Sequence, residues 1–325
     1  MHAPARQSIS GAEGAFPARR AVILALLLCC ALPMWAEEWP RRVTDDAGTV
    51  ITLPAPPRRI VSATLPTDEI LLALTEPGRL AAVTAFAADP ALSTAAERAR
   101  LVPVKLAQLS VELVVSMAPD VVFAASWSDA AVVRQLRAAG LTVYLFRSPS
   151  TVAGIRDAIG KISRVVGEEQ AGSDLVLWMD ERLAAVAARL ARVPADRRLT
   201  VMDYNTWSTS MGRGSSWDEV VRLAGLSNAV AGLTADRFGE VPVSREVLLS
   251  LDPDILLLPG WVYGDAGGST RFLRQVVNDP ALRGMKAVRE GRVLVMPESI
   301  KTSTSQYIVL AVEELARLAY PDAFR

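Results

Sequence analysis

Two stretches of the chain repeat each other at a constant interval. Residues 109–123 read Leu-Ser-Val-Glu-Leu-Val-Val-Ser-Met-Ala-Pro-Asp-Val-Val-Phe, and residues 243–257 read Val-Ser-Arg-Glu-Val-Leu-Leu-Ser-Leu-Asp-Pro-Asp-Ile-Leu-Leu. Ser110 and Ser244, Glu112 and Glu246, Pro119 and Pro253, and Asp120 and Asp254 are each 134 positions apart, with no gap between them. In each copy a Ser suited to capping a helix precedes a Glu in the first turn, where the helix dipole favours negative charge. A Pro-Asp turn then stops the helix. The apolar run that follows has the pattern of a strand buried on both faces. A duplicated helix–turn–strand unit predicts two similar α/β lobes.

The rest of the chain fits that plan. Residues 59–64, 80–86 and 141–146 read as short buried strands, and 68–74 and 130–139 as helices, the latter ending at Gly140. In the second half, 199–204, 255–258 and 292–296 read as strands, and 216–224 and 305–318 as helices. Alternating strand and helix predicts mostly parallel sheets covered by helices. Between the halves, 168–191 is a long helical stretch without Gly or Pro after Gly172, spanning about 35 Å. The predicted fold is therefore α/β: two Rossmann-like lobes, over 43–166 and 198–325, joined by one long rigid helix over 168–193. Such a strut lets the lobes rock rather than clap shut.

The N-terminus reads as an export signal over residues 1–36. Arg19 and Arg20 precede an apolar run over 21–32, and Ala36 stands before Glu37-Glu38. The run is shorter than the about 20 residues a membrane span needs. Cleavage is expected in place of lipid attachment at Cys29 or Cys30, because Leu28 and Cys29 are not the small residues that usually precede a lipidated cysteine. Both cysteines and the sole histidine, His2, fall in this segment. The exported part then has no disulfide, no Ser–His–Asp triad and no His- or Cys-based zinc site. Asp203 near Ser208 is the nearest approach to a nucleophile–base pair, so no catalytic residue is expected and the chain reads as a non-enzyme. Lys+Arg and Asp+Glu both number 35, a balance that argues against nucleic acid as a partner.

Ligands of open parallel sheets bind beyond the carboxyl ends of the strands. Trp127 and Trp261 follow the two repeated strands and are again 134 apart, so both lobes are expected to present an indole to a shared cleft for a large ligand. Thr64, Phe86, Arg147, Tyr204, Trp207 and Tyr263 also end or follow predicted strands and complete the candidate ligand contacts, with Arg213 from the Gly212-Arg213-Gly214-Ser215-Ser216 turn. Arg147 or Arg213 would pair with an anionic group. The glycine turn lacks a dinucleotide or phosphate-loop pattern and reads as a loop with a Ser cap. Glu112 and Glu246 begin helices at the same edge. They suit either dipole compensation or docking onto a basic partner surface.

These segments resemble the periplasmic family that binds iron complexes and cobalamin, the substrate-binding components of ABC importers for ferric siderophores, haem and corrinoids. The resemblance runs over residues 43–321, through Arg59-Ile60-Val61-Ser62, Asp68-Glu69-Ile70-Leu71 and the two repeated units. It implies a class III periplasmic binding protein architecture, little closure on binding, and acidic residues on each lobe that meet permease arginines. Glu112, Glu246 and Asp129 are the candidates for that docking. The chain departs from the family in carrying Ala63-Thr64-Leu65-Pro66 where a Ser-Pro pair is usual, and Asp129 but no Glu after Trp127. The chain is expected to be a periplasmic monomer with no resident cofactor or metal. Its ligand would be a small-molecule metal chelate, with a ferric siderophore ahead of a corrinoid and then haem. Haem would need Tyr204 or Tyr263 as its ligand in place of histidine.

Overall fold

The computed structural model describes residues 39–325; the expected export signal, with Cys29, Cys30 and His2, lies outside the described residues. The first half opens with an antiparallel hairpin of β1 (Arg41–Thr44) and β2 (Val50–Leu53). It continues through β3 (Ile60–Ser62), α1 (Leu65–Leu74), β4 (Leu80–Thr84), α2 (Ala96–Arg100), β5 (Val104–Leu106) and α3 (Val111–Ser116). It ends with β6 (Val121–Ala125), α4 (Ala130–Ala138), β7 (Val143–Phe146) and α5 (Val152–Val166). The long helix α6 (Glu169–Leu190) then leads to β8 (Thr200–Asp203), β9 (Thr209–Met211), α7 (Ser216–Leu223), β10 (Ser227–Asn228) and β11 (Glu240–Pro242). The last elements are α8 (Arg245–Leu251), β12 (Ile255–Pro259), α9 (Gly268–Asn278), α10 (Lys286–Arg289), β13 (Val293–Met296), α11 (Glu298–Lys301) and α12 (Ile308–Ala319).

Two wholly parallel sheets result, in the orders β5-β4-β3-β6-β7 and β10-β8-β12-β13. In each, the chain first builds outward to one side and then returns to build on the other. The strand order therefore reverses between β3 and β6 in one lobe and between β8 and β12 in the other. Residues alternate between the faces of each strand. Ile60, Val121 and Phe123 enter a core shared with the long helix, while Val61, Val122 and Ala124 enter a separate outer one. The second lobe does the same, with Val201, Ile255 and Leu257 on the shared side and Met202, Leu256 and Leu258 on the outer side. Strands buried on both faces have no polar face to alternate with, hence the unbroken apolar runs in the sequence.

The repeat is structural in detail. β6 and β12 begin and end at positions 134 apart, and Ser110 and Ser244 cap their helices through Leu113 N and Val247 N. Ala118 and Asp252, one residue before the two prolines, both adopt left-handed φ, 45° and 37°. Asp120 accepts from the backbone N–H groups of Arg58 and Arg59, and Asp254 from that of Thr200, so each aspartate ties its strand to the entry of the neighbouring one.

Helix α6, at 22 residues about 33 Å long, packs against α1 and α5 of the first lobe and against α12 of the second. Arg156 pairs with Asp180 on the first-lobe side, and Arg182 reaches Glu313 at 2.7 Å on the second-lobe side. Three boundaries differ from expectation for local reasons. β4 stops at Thr84 because the Thr84 hydroxyl caps a 3-10 turn over Ala85–Ala88, which carries Phe86. Helix α1 starts early because Thr64 accepts from Thr67 N and Pro66 falls in the first turn, where its missing N–H is harmless. Helix α12 starts late, at Ile308, because Ser303, Ser305 and Gln306 are bound to Glu69 of the other lobe.

Candidate functional site

The carboxyl ends of both sheets border one cavity of about 230 Å³. Leu65, Pro66 and Glu69, which follow β3, line it together with Leu92 and Ser148 of the first lobe. Ser299, Thr302, Ser303 and Thr304, which follow β13, close it from the second lobe. Its lining is rich in hydroxyls, with a single carboxylate. A larger concavity, about 620 Å³, lies at the amino ends of the second-lobe strands, beside Arg198, Leu199, Asp254 and Lys286. That is the wrong edge for a ligand of a parallel sheet, so position outweighs size.

The nine expected ligand contacts fall around the carboxyl edges in different states. Trp127, after β6, is 66% exposed, Trp207 is 73% exposed and Tyr263 is 75% exposed. Phe86 is half exposed on its 3-10 turn. Trp261 packs edge-on against Tyr263 with ring centres 5.8 Å apart, and Tyr204 stacks on Phe272 at the same distance. Thr64 is buried as the cap of α1. Arg147 lines a separate pocket of about 400 Å³ with Asp46, Asp157 and Lys161, although its neighbour Ser148 reaches the inter-lobe cavity. Arg213 is held to the carbonyl of Ala231 at 2.9 Å, and Ser215 of the same turn caps α7. None of the nine lines the inter-lobe cavity, whose walls are supplied by residues the sequence did not single out.

The three acidic docking candidates all sit at helix starts. Glu112 and Glu246 are fully exposed in the first turns of α3 and α8. Both carboxyls are held below the usual range, Glu112 by its own backbone N–H and the Ser110 hydroxyl, Glu246 by the Ser244 hydroxyl and its own N–H. Asp129 caps α4 by accepting from Ala131 N at 2.7 Å.

Two buried polar clusters were not foreseen. Lys301 sits between Asp203, at 2.9 Å, and Glu298, at 3.5 Å. Burial pulls its ammonium down, but the two carboxylates outweigh that and hold it above the ordinary lysine value. Asp203 is therefore engaged as a structural counter-ion, and Ser208 faces the Tyr204 hydroxyl at 3.4 Å, so the two form no nucleophile–base pair. The second cluster centres on consecutive carboxylates of α1. Burial pushes Asp68 up to about 8 and Glu69 up to about 7. Asp68 accepts from Thr84 N and Oγ1; Glu69 accepts from Ser93 Oγ at 2.7 Å and, across the lobes, from Ser305 Oγ at 2.6 Å.

The family model described as periplasmic binding protein matches residues 60–300. The ABC transporter substrate-binding lipoprotein YvrC of Bacillus subtilis is 25% identical over 297 residues, 89% of this chain and 88% of its own. A cobalamin-binding protein of Halobacterium salinarum is 27% identical over 68% of this chain and 59% of its own longer one. Among solved structures, the molybdate-binding protein MolA of Haemophilus influenzae superposes with a TM-score of 0.72 at 21% identity, covering 87% of this chain and 92% of its own. At that identity the likeness speaks for the fold alone: two lobes with mostly parallel sheets joined by one long helix, the class III arrangement.

Proposed function

The chain belongs to the periplasmic binding protein family as a substrate-binding component of an ABC transporter, and from that premise we propose that it captures a ferric siderophore-type chelate between its lobes. The observation that carries this reading is the set of exposed aromatic rings that follow strands: Phe86, Trp127, Trp207 and Tyr263, with Trp261 and Tyr204 half-buried. Rings left in water at a cleft rim gain about 1–2 kcal/mol each when a large apolar ligand face covers them. A small oxyanion would cover none of them. Residues 39–325 contain no His or Cys, the donors that suit a bare transition metal, whereas a chelate brings its own donor atoms. Arg147 and Arg213 would meet the chelate's anionic groups, and the hydroxyls of the inter-lobe cavity its peripheral polar ones. Cobalamin is the second reading, favoured by the Halobacterium relative.

In this proposal the protein acts outside the cytoplasm as a monomer, needs no cofactor, and is exported by residues 1–36. The Bacillus relative is a lipoprotein, so Cys29 and Cys30 stand as the residues through which an anchor would attach. Delivery would bring Glu112 and Glu246, with Asp129, against basic residues of the permease. The test is titration of residues 39–325 with a ferric trihydroxamate, a ferric tricatecholate, ferric citrate, haem, cyanocobalamin and molybdate. It would be followed by tryptophan fluorescence and, for the coloured ligands, by calorimetry. A ferric complex should quench at a one-to-one ratio, with the quench reduced in Trp127→Phe and Trp207→Phe. Response to cyanocobalamin alone transfers the assignment to the second reading, and response to none removes the chelate.

A further inference from the structure

One short segment joins the rim of the second lobe to the interior of the first. It begins at α11, where Lys301 is fixed between Asp203 at the end of β8 and Glu298. Its root lies against the Trp261 turn: a Cβ on Gly260 would collide with the carbonyl of Met296 and come within 3.0 Å of Pro297 Cα. Beyond Lys301, Thr302, Ser303 and Thr304 line the inter-lobe cavity. Then Ser303 and Ser305 turn their hydroxyls to Glu69 Oε2, at 3.5 and 2.6 Å, and the Gln306 amide donates to the Glu69 carbonyl at 2.9 Å. The other carboxylate oxygen, Oε1, accepts from Ser93, in the loop that places Leu92 in the cavity wall.

We propose that Glu69 is a positioning residue for capture, its carboxylate a clasp that holds both walls of the inter-lobe cavity in register through Ser93 on one side and Ser303 and Ser305 on the other. It rests on the reading of the cleft as the ligand site. A buried carboxylate accepting several hydroxyl bonds is expensive to maintain for stability alone, since an apolar residue of the same shape would serve a core as well. What only a multivalent acceptor supplies is a fixed junction between three backbone segments, two of them more than 200 residues apart. A cavity whose walls are already placed loses less ordering entropy when it is filled.

The experiment is hydrogen–deuterium exchange on ligand-free protein at pH 8, so its outcome does not depend on which chelate binds. In Glu69→Gln, amides of 89–95 and of 299–306 should both exchange faster, by about tenfold for the loss of hydrogen bonds to a charged acceptor, while the melting temperature stays level or rises. Ser305→Ala, altered in the second lobe, should also loosen 89–95 in the first. Faster exchange in only one segment, no change in either, or a uniform rise across the chain with a lower melting temperature would each overturn the proposal. A failed ligand panel alongside the expected exchange pattern would overturn only the ligand assignment.

Discussion

Asp68 and Glu69 look unremarkable in the sequence, an acidic pair near a helix start where the dipole welcomes it. Their burial is set by elements remote in the chain, Thr84 for Asp68 and Ser305 for Glu69, so periodicity could not reveal it. The consequence is a stability profile of unusual sign. Both carboxyls hold their protons to about 8 and about 7 when folded, against 3.8 and 4.5 for the free groups. Between those limits the folded state binds more protons than the unfolded one. The stabilisation is complete below about pH 4 and is lost as pH rises through about 7 and about 8. Each tenfold gain in proton affinity on folding is worth about 1.4 kcal/mol, so the two carboxyls together contribute several kcal/mol. The melting temperature should therefore fall between pH 5.5 and pH 9, and Asp68→Asn, which keeps an acceptor for Thr84, should flatten most of that slope. A wild-type melting temperature that rises over the same range would contradict the assignment.

At the scale of elements, helix existence and type were legible where a Ser cap preceded an apolar run, as at Ser110 and Ser244, and for α6 from a long stretch without Gly or Pro after Gly172. What α6 touches was not legible, because its composition is mixed around its circumference and only packing chooses the faces. Gly172 marks the choice. A Cβ there would stand 2.5 Å from Ser163 Oγ and 2.6 Å from Ser163 Cβ, so α5 and α6 approach closely at this point. In an exposed helix Gly→Ala gains about 1 kcal/mol. Here overpacking at about 1–3 kcal/mol opposes it. Gly172→Ala should lower stability in urea unfolding, and Ser163→Gly combined with it should recover most of the loss. If Gly172→Ala alone is stabilising, the two helices are not in the contact described.

For the molecule as a whole, the repeat disclosed the lobes and their sheets. The inter-lobe cavity stayed hidden because its lining is drawn from several separate segments and no one of them carries a motif. The proposed delivery draws on the same repeat. Glu112 and Glu246 occupy equivalent places on the two lobes, and each has an exposed apolar neighbour three positions on, Val115 at 39% and Leu249 at 40% exposure. Two matched patches of one carboxylate and one aliphatic side chain suit a permease with two equivalent basic sites. Exposed charges of this kind act on encounter and register more than on the strength of either binding event. Reversing both, Glu112→Lys with Glu246→Lys, should leave the one-to-one ligand titration within about twofold, since neither residue lines the cavity and surface substitutions of this kind are nearly neutral. Uptake into vesicles carrying the cognate transporter should fall by about tenfold or more, with each single reversal intermediate, because like charges then face each other at both sites. Added salt should narrow the difference by screening that repulsion. Full uptake by the double variant would mean that the two carboxylates serve only their own helices, through the Ser110 and Ser244 turns.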